Sequence, residues 1–167
     1  MSLDPLKTLK DLNCPSNIIE HSRAVSRKAM YMASNFSDTK GSYVDLEQVE
    51  TGAMLHDIGR SRTHTIKHAV VGAEILKNLN FPREIVKITL KHIGAGIPPN
   101  EAEILGLPPG NYMPITLEEK IVAHADNLVN GTKEVDLNFV IRKWEKVFGK
   151  DHPAIGRLKK LDQEVSV

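Results

Sequence analysis

The chain has 167 residues, 41% of them hydrophobic and 26% charged, which excludes a disordered or fibrous polypeptide and suits a single domain over residues 1–167. A net charge of +1 excludes nucleic-acid or membrane binding through bulk electrostatics, and the lone Cys14 excludes a disulfide framework or a thiolate-built zinc site. Asp4, Lys7, Lys10, Asp11 and Glu20 break up the first twenty residues, and no later apolar run could span a bilayer. The expected location is therefore the cytosol.

The apolar pattern is helical from one end to the other, with no internal repeat and no strand signal. Ile18, His21, Val25, Ala29, Met32 and Phe36 recur at helical spacing, so residues 16 to about 36 read as a long amphipathic helix. Asp45 with Gln48 forms a capping-box pattern for a helix to about residue 58, where Gly59 supplies the stop. A basic loop with Arg60, Arg62 and Lys67 follows. A helix is predicted from about residue 66 to 77 or 78, and another from Pro82 to about residue 93, before Gly94. Residues 94–115 are rich in Gly and Pro and read as a long connection, with one turn at residues 101–105. Thr116 and Glu119 form a second capping box, opening a helix to about residue 130. Residues 136–148, closed by Gly149, and 153–164 complete an all-α bundle of about six to eight helices.

Within these helices, six ionisable residues fall on the stripes that should face the core. His21 continues the row of Ile18 and Val25. His56 ends the row Leu46, Val49, Ala53, with Asp57 beside it. His68 leads the row Gly72, Ile75, Leu79. His92 closes the row Ile85, Ile88, Thr89, and Asp126 lies between Val122 and Val129. A buried carboxylate needs a cation or several donors, and those stripes carry no Lys or Arg. A shared metal would satisfy the whole set, and ligands projecting inward from facing helices are how bundles build metal sites. Imidazole with carboxylate favours one or two first-row divalent ions, Mn, Fe, Co, Ni or Zn, over calcium. Any one histidine taken alone has a structural reading. His124 is two residues from Asp126 and cannot share its helix face. His64, in the basic loop, and His152, near the chain end, also stay outside the set.

His56-Asp57-Ile58-Gly59, together with the ordered series His21, His56-Asp57, His68, His92 and Asp126, resembles the HD-domain superfamily of metal-dependent phosphohydrolases. The resemblance spans about residues 16–130 and leaves 131–167 as C-terminal helices. It implies that His21, His56, Asp57 and Asp126 hold one metal, and that His68 and His92 hold a second, bridged by Asp57. The stretch His92-Ile93-Gly94-Ala95-Gly96-Ile97-Pro98 is similar to the signature of the cyclic-dinucleotide phosphodiesterase branch. It has Ile93 where that branch has histidine and Ile97 where it has tyrosine, so that activity is not carried over.

The implied reaction is hydrolysis of a phosphate ester, of a nucleotide or related small phosphate compound, by a metal-activated water. Asp57 and Arg60 would be catalytic, Arg60 sitting where relatives often carry a basic residue. Arg60 and Lys67 would bind the substrate phosphate, the guanidinium suiting bidentate contact. Tyr112, in the long connection, is not counted. Two further readings share the ligand set: a mixed-valent di-iron oxygenase, and a nucleotide-sensing module without turnover.

Overall fold

The computed structural model describes residues 3–167. Its elements in order are α1 (Pro5–Asp11), α2 (Ser16–Lys40), α3 (Leu46–Leu55), a 3-10 turn at Ile58–Ser61, α4 (His68–Asn78), α5 (Arg83–Lys91), α6 (Pro99–Ile104), α7 (Leu117–Asn127), a hairpin of β1 (Val129–Asn130) and β2 (Lys133–Glu134), α8 (Leu137–Phe148) and α9 (Pro153–Val165). The fold is the expected helical bundle, with nine α-helices among the described residues. No helix there is long and apolar enough to cross a membrane.

The central helix is α3, which packs against α2, α5 and α7. Their inward faces supply Val25, Ala29, Val49, Ala53, Ile88, Ile121 and Val122 to the main core. Burying each such aliphatic side chain contributes about 1.5–3 kcal/mol. A second core joins Leu9 of α1 to Leu55, Ile58, Leu76, Phe81 and Ile85. His56 and Asp57 lie between the two, because Ala53 belongs to the first and both Leu55 and Ile58 to the second.

The predicted boundaries shift where local chemistry says they should. Helix α2 runs four residues past Phe36, to Gly41 in the left-handed conformation at φ 64°. Helix α3 ends at Leu55 rather than near residue 58, and Gly59 does not stop it through a left-handed φ. Gly59 is needed for close approach: a Cβ there would meet the His68 carbonyl oxygen at 1.9 Å and the Gly72 nitrogen at 2.7 Å. The 3-10 turn is thereby pressed against the start of α4, and that contact carries Asp57 to His68.

At the start of α3 the Asp45 carboxylate accepts from Gln48 N at 3.0 Å, but the reciprocal arm is absent. The Asp45 N–H is taken instead by Glu118 Oε1, at 3.1 Å. Thr116 and Glu119 make both arms of their box. Pro82 is the N-cap of α5, not its first turn, since its ψ of 144° is extended. Helix α7 stops at Asn127, three residues before the predicted end, and Val129 to Glu134 form the short antiparallel hairpin around Gly131 (φ 65°), which no strand signal announced. The connection 94–115 is organised by α6, a bridge between Ile97 and Tyr112, and a small core of Ile97, Ala102, Leu107 and Tyr112.

Candidate metal centre

Each of the six residues comes from a different place in the fold, and the helices bring them to one point. His21 lies in the second turn of α2; His56 is the C-cap of α3; Asp57 precedes the 3-10 turn; His68 opens α4; His92 caps α5; and Asp126 lies near the end of α7. His21 Nε2 is 2.9 Å from Asp126 Oδ1, and His56 Nε2 is 3.5 Å from the same oxygen. Asp57 Oδ1 is 3.1 Å from His68 Nε2 and 3.4 Å from His92 Nε2, while its Oδ2 is 3.7 Å from His56 Nε2. Ligand atoms group as His21, His56 and Asp57; as His56, His92 and Asp126; and as Asp57, His68 and His92, within 4.8 Å in each set.

The backbone fixes which nitrogen each imidazole turns inward. His56 Nδ1 donates to Ala53 O at 2.6 Å, His68 Nδ1 to Thr65 O at 2.8 Å and His92 Nδ1 to Thr89 O at 2.7 Å, each three residues back. His21 Nδ1 donates to Gly131 O at 2.6 Å, which gives the unpredicted hairpin its part in the site. A carbonyl can only accept, so all four Nδ1 atoms carry a proton and all four Nε2 atoms face the centre, where each could give its lone pair to a bound ion.

That arrangement is incomplete without a cation. His68 Nε2 and His92 Nε2 face each other at 3.1 Å, and two lone pairs at that distance need a shared proton or a metal ion between them. His56 Nε2 and Asp57 Oδ1 are buried with no hydrogen-bond partner, an expensive condition for polar atoms unless an ion takes them up. Burial works against charging His56, yet the Asp57 and Asp126 carboxylates outweigh it and raise its pKa to about 9. Burial would also raise the pKa of both carboxylates, but the surrounding imidazoles, His56 foremost, hold them far below the usual carboxylate range. At His92 burial prevails and lowers the pKa. The centre thus gathers two carboxylates and four imidazoles whose Nε2 atoms face one another, a donor set that fits a divalent transition ion.

Arg60 brings a cation to the set from outside the stripes. Its Nε donates to Asp57 Oδ2 at 2.8 Å, reaching the carboxylate from the turn rather than from a stripe. Its Nη1 lies 3.5 Å from His64 O. Lys67 is exposed at the N-cap of α4, with no hydrogen bond from its ammonium among the described residues. His124 is fully buried and points away, its Nε2 2.9 Å from Asp162 Oδ1 on α9. His152 caps α9 through Nδ1. Tyr112 is buried, and its hydroxyl donates to Pro108 O at 2.7 Å.

The chain is similar to known proteins in sequence and in fold. The model of the HD domain matches residues 18–131. An uncharacterized protein of Methanocaldococcus jannaschii is 55% identical over 161 residues, covering 96% of this chain and 94% of its own length. The tRNA (cytidine(56)-2'-O)-methyltransferase of Picrophilus torridus is 45% identical over 96% of this chain, but the match spans only 45% of that enzyme. Ribonuclease Y of Thermosipho melanesiensis is 34% identical over 67% of this chain and 18% of its own length. Among solved structures, the HD domain of the L. monocytogenes phosphodiesterase PgpH, in complex with cyclic-di-AMP, superposes with a TM-score of 0.58 at 20% identity, over 94% of this chain and 92% of that one, and so shares the fold. With the family model spanning the six clustered residues and more than half of the sequence, this chain belongs to the HD-domain family.

Proposed function

We propose that the chain is a metal-dependent phosphohydrolase that cleaves a nucleotide-like phosphate ester at this centre. The observation that carries the reading is the pair of buried, partnerless ligand atoms, His56 Nε2 and Asp57 Oδ1, within a cluster of four Nε2-directed histidines. His21, His56, Asp57 and Asp126 would hold one ion, and Asp57, His68 and His92 a second. Bound there, such ions would lower the pKa of a water to near neutrality and draw off charge from a phosphoryl oxygen.

The chain's own groups do the positioning. The four Nδ1–H donors keep the imidazoles from turning, and Asp57 is held from the other side by Arg60. Arg60 is 28% exposed at its side chain, so the guanidinium reaches from the buried carboxylate towards solvent. That places it to contact a substrate phosphate while steadying Asp57, and exposed Lys67 adds charge on the same loop. The cyclic-di-AMP of the PgpH structure and the name ribonuclease Y support a nucleotide phosphoester here. A single domain acting in the cytosol completes the reading.

The test is a screen of chelator-stripped protein reconstituted with Mn, Fe, Co, Ni or Zn against phosphomonoesters and phosphodiesters. Activity that returns with metal and is absent in Asp57→Ala and His56→Ala supports the proposal. Activity unaffected by chelation, or retained in both variants, overturns it.

A further inference from the structure

Asp126 also lines a small polar cleft of about 200 Å³, together with Asn127, Asn130, Lys143 and Trp144. Three of those residues, Asn127, Lys143 and Trp144, form part of the wall of a larger cleft of about 580 Å³ between α8, α9 and the 93–105 segment. Asp126 of the metal centre thus borders a polar cleft that shares Asn127, Lys143 and Trp144 with an apolar chamber, and the chamber is of the size that takes small ligands, about 300–1,000 Å³. Helices α8 and α9, which supply the outer wall, lie beyond the stretch that the family model matches, which ends at residue 131.

The chamber's chemistry is that of an aromatic ring with a polar edge. Trp144, Phe148 and His152 form a continuous aromatic wall, with ring centroids 6.2 Å apart for the first pair and 5.0 Å for the second. Trp144 reaches inward because residue 94 is glycine: a Cβ there would lie 3.3 Å from the Trp144 ring, and the backbone stands at φ +59°. Asn127 is held by its Nδ2–H, which donates to Gly94 O at 3.0 Å and ties this part of the wall to the end of the His92 turn. On the far side Arg157 and Glu101 are paired at 2.6 Å, and Arg157 Nε is buried without a partner. Lys143 stands exposed in the wall that the two clefts share, 3.4 Å from Asn130 Oδ1. Stacking surface, hydrogen-bonding groups opposite it and a cation between chamber and metal centre are the three needs of a base, its edge and a phosphate.

We infer that this chamber receives the nucleobase of the substrate, with Lys143 in the shared wall pairing with its phosphate. The inference deepens the phosphohydrolase reading and rests on it for the position of the reacting phosphate. The base–sugar–phosphate unit is common to a free nucleotide and to the end of a nucleic-acid strand.

Trp144 is the chain's one tryptophan, so its fluorescence reports occupancy without any turnover. The full chain is titrated with the four nucleoside 5'-monophosphates and the four nucleosides, with a 5'-phosphorylated tetraribonucleotide and with ribose 5-phosphate. Saturable quenching by a mononucleotide or by the tetranucleotide, and none by ribose 5-phosphate, is expected, and the stronger of the two names the source. Ala154→Phe, which fills the chamber and leaves Trp144 in place, should weaken that binding by about tenfold or more, the effect of losing one base stack. Lys143→Ala, a surface change, should weaken nucleotide but not nucleoside binding. No quenching by any nucleotide, quenching equally strong with ribose 5-phosphate, or wild-type affinities in both variants overturns the inference. Phosphoester hydrolysis without quenching would sink the chamber alone; quenching without hydrolysis would sink the phosphohydrolase reading alone.

Discussion

Replacing Asp57 with asparagine keeps the side chain's volume and one oxygen but removes the charge on which two of the three ligand groupings depend. A metal present at about 1,000 times its Kd stabilises the folded chain by about 4 kcal/mol. For a chain of this length that corresponds to a rise in Tm of about 8–16 °C. Disturbing even a residue that supports a metal ligand weakens binding by about 10–100-fold. Asp57 is within 3.7 Å of three imidazole nitrogens, so the upper end of that range is the least to expect. A 100-fold loss leaves only about 1.4 kcal/mol, or about a third of the wild-type shift. Differential scanning fluorimetry of stripped wild-type and Asp57→Asn protein, titrated with Mn and Zn, reads this directly. A variant that keeps the full shift, or a wild type that no transition ion stabilises, would refute the reasoning.

Gly59→Ala should destabilise the fold by about 2–4 kcal/mol in urea unfolding, because its methyl would overlap the His68 carbonyl. Arg60→Ala should weaken metal binding by about 10–100-fold through Asp57 and, at saturating metal, lower kcat/KM on the best phosphoester by about 2–4 kcal/mol, and Arg60→Lys by less; wild-type kinetics in both would remove Arg60 from the phosphate-binding site. His124→Ala should lose about 1–3 kcal/mol of stability by emptying the space of a fully buried ring and breaking its bond to Asp162, with metal content by mass spectrometry unchanged.

Much of this was legible in the sequence because helical spacing reports burial. The stripes containing His21, His56, His68, His92 and Asp126 were visible as rows of apolar neighbours, and the helices do turn those side chains to one point. The Thr116–Glu119 box was readable because both arms are local. What escaped was non-local. The Asp45 N–H is satisfied by Glu118, seventy-three residues away, so half of its apparent box is not used. Gly59 carried a stop signal by composition, but its reason is the backbone of α4 pressing on it. Two-residue strands are too short for period-two alternation, so the hairpin that offers Gly131 O to His21 had only Asn130-Gly131 as a turn signal. Helix α1 was overlooked although Asp4 caps it and Pro5 opens it. The aromatic wall of Trp144, Phe148 and His152 was hidden because the position of Trp144 depends on the distant Gly94.

The central claim is that a metal-activated water attacks phosphorus at this cluster, and isotope labelling tests it most directly. Reconstituted protein turns over its best phosphoester in 18O-labelled water, and in parallel under 18O2, with the products read by mass spectrometry. The account predicts one 18O from water in the phosphate-bearing product, none from dioxygen, and no labelled product from Asp57→Ala. Label from dioxygen would identify an oxygenase. Label from water in the alcohol product, or equal labelling by the variant, would equally contradict attack on phosphorus at this centre.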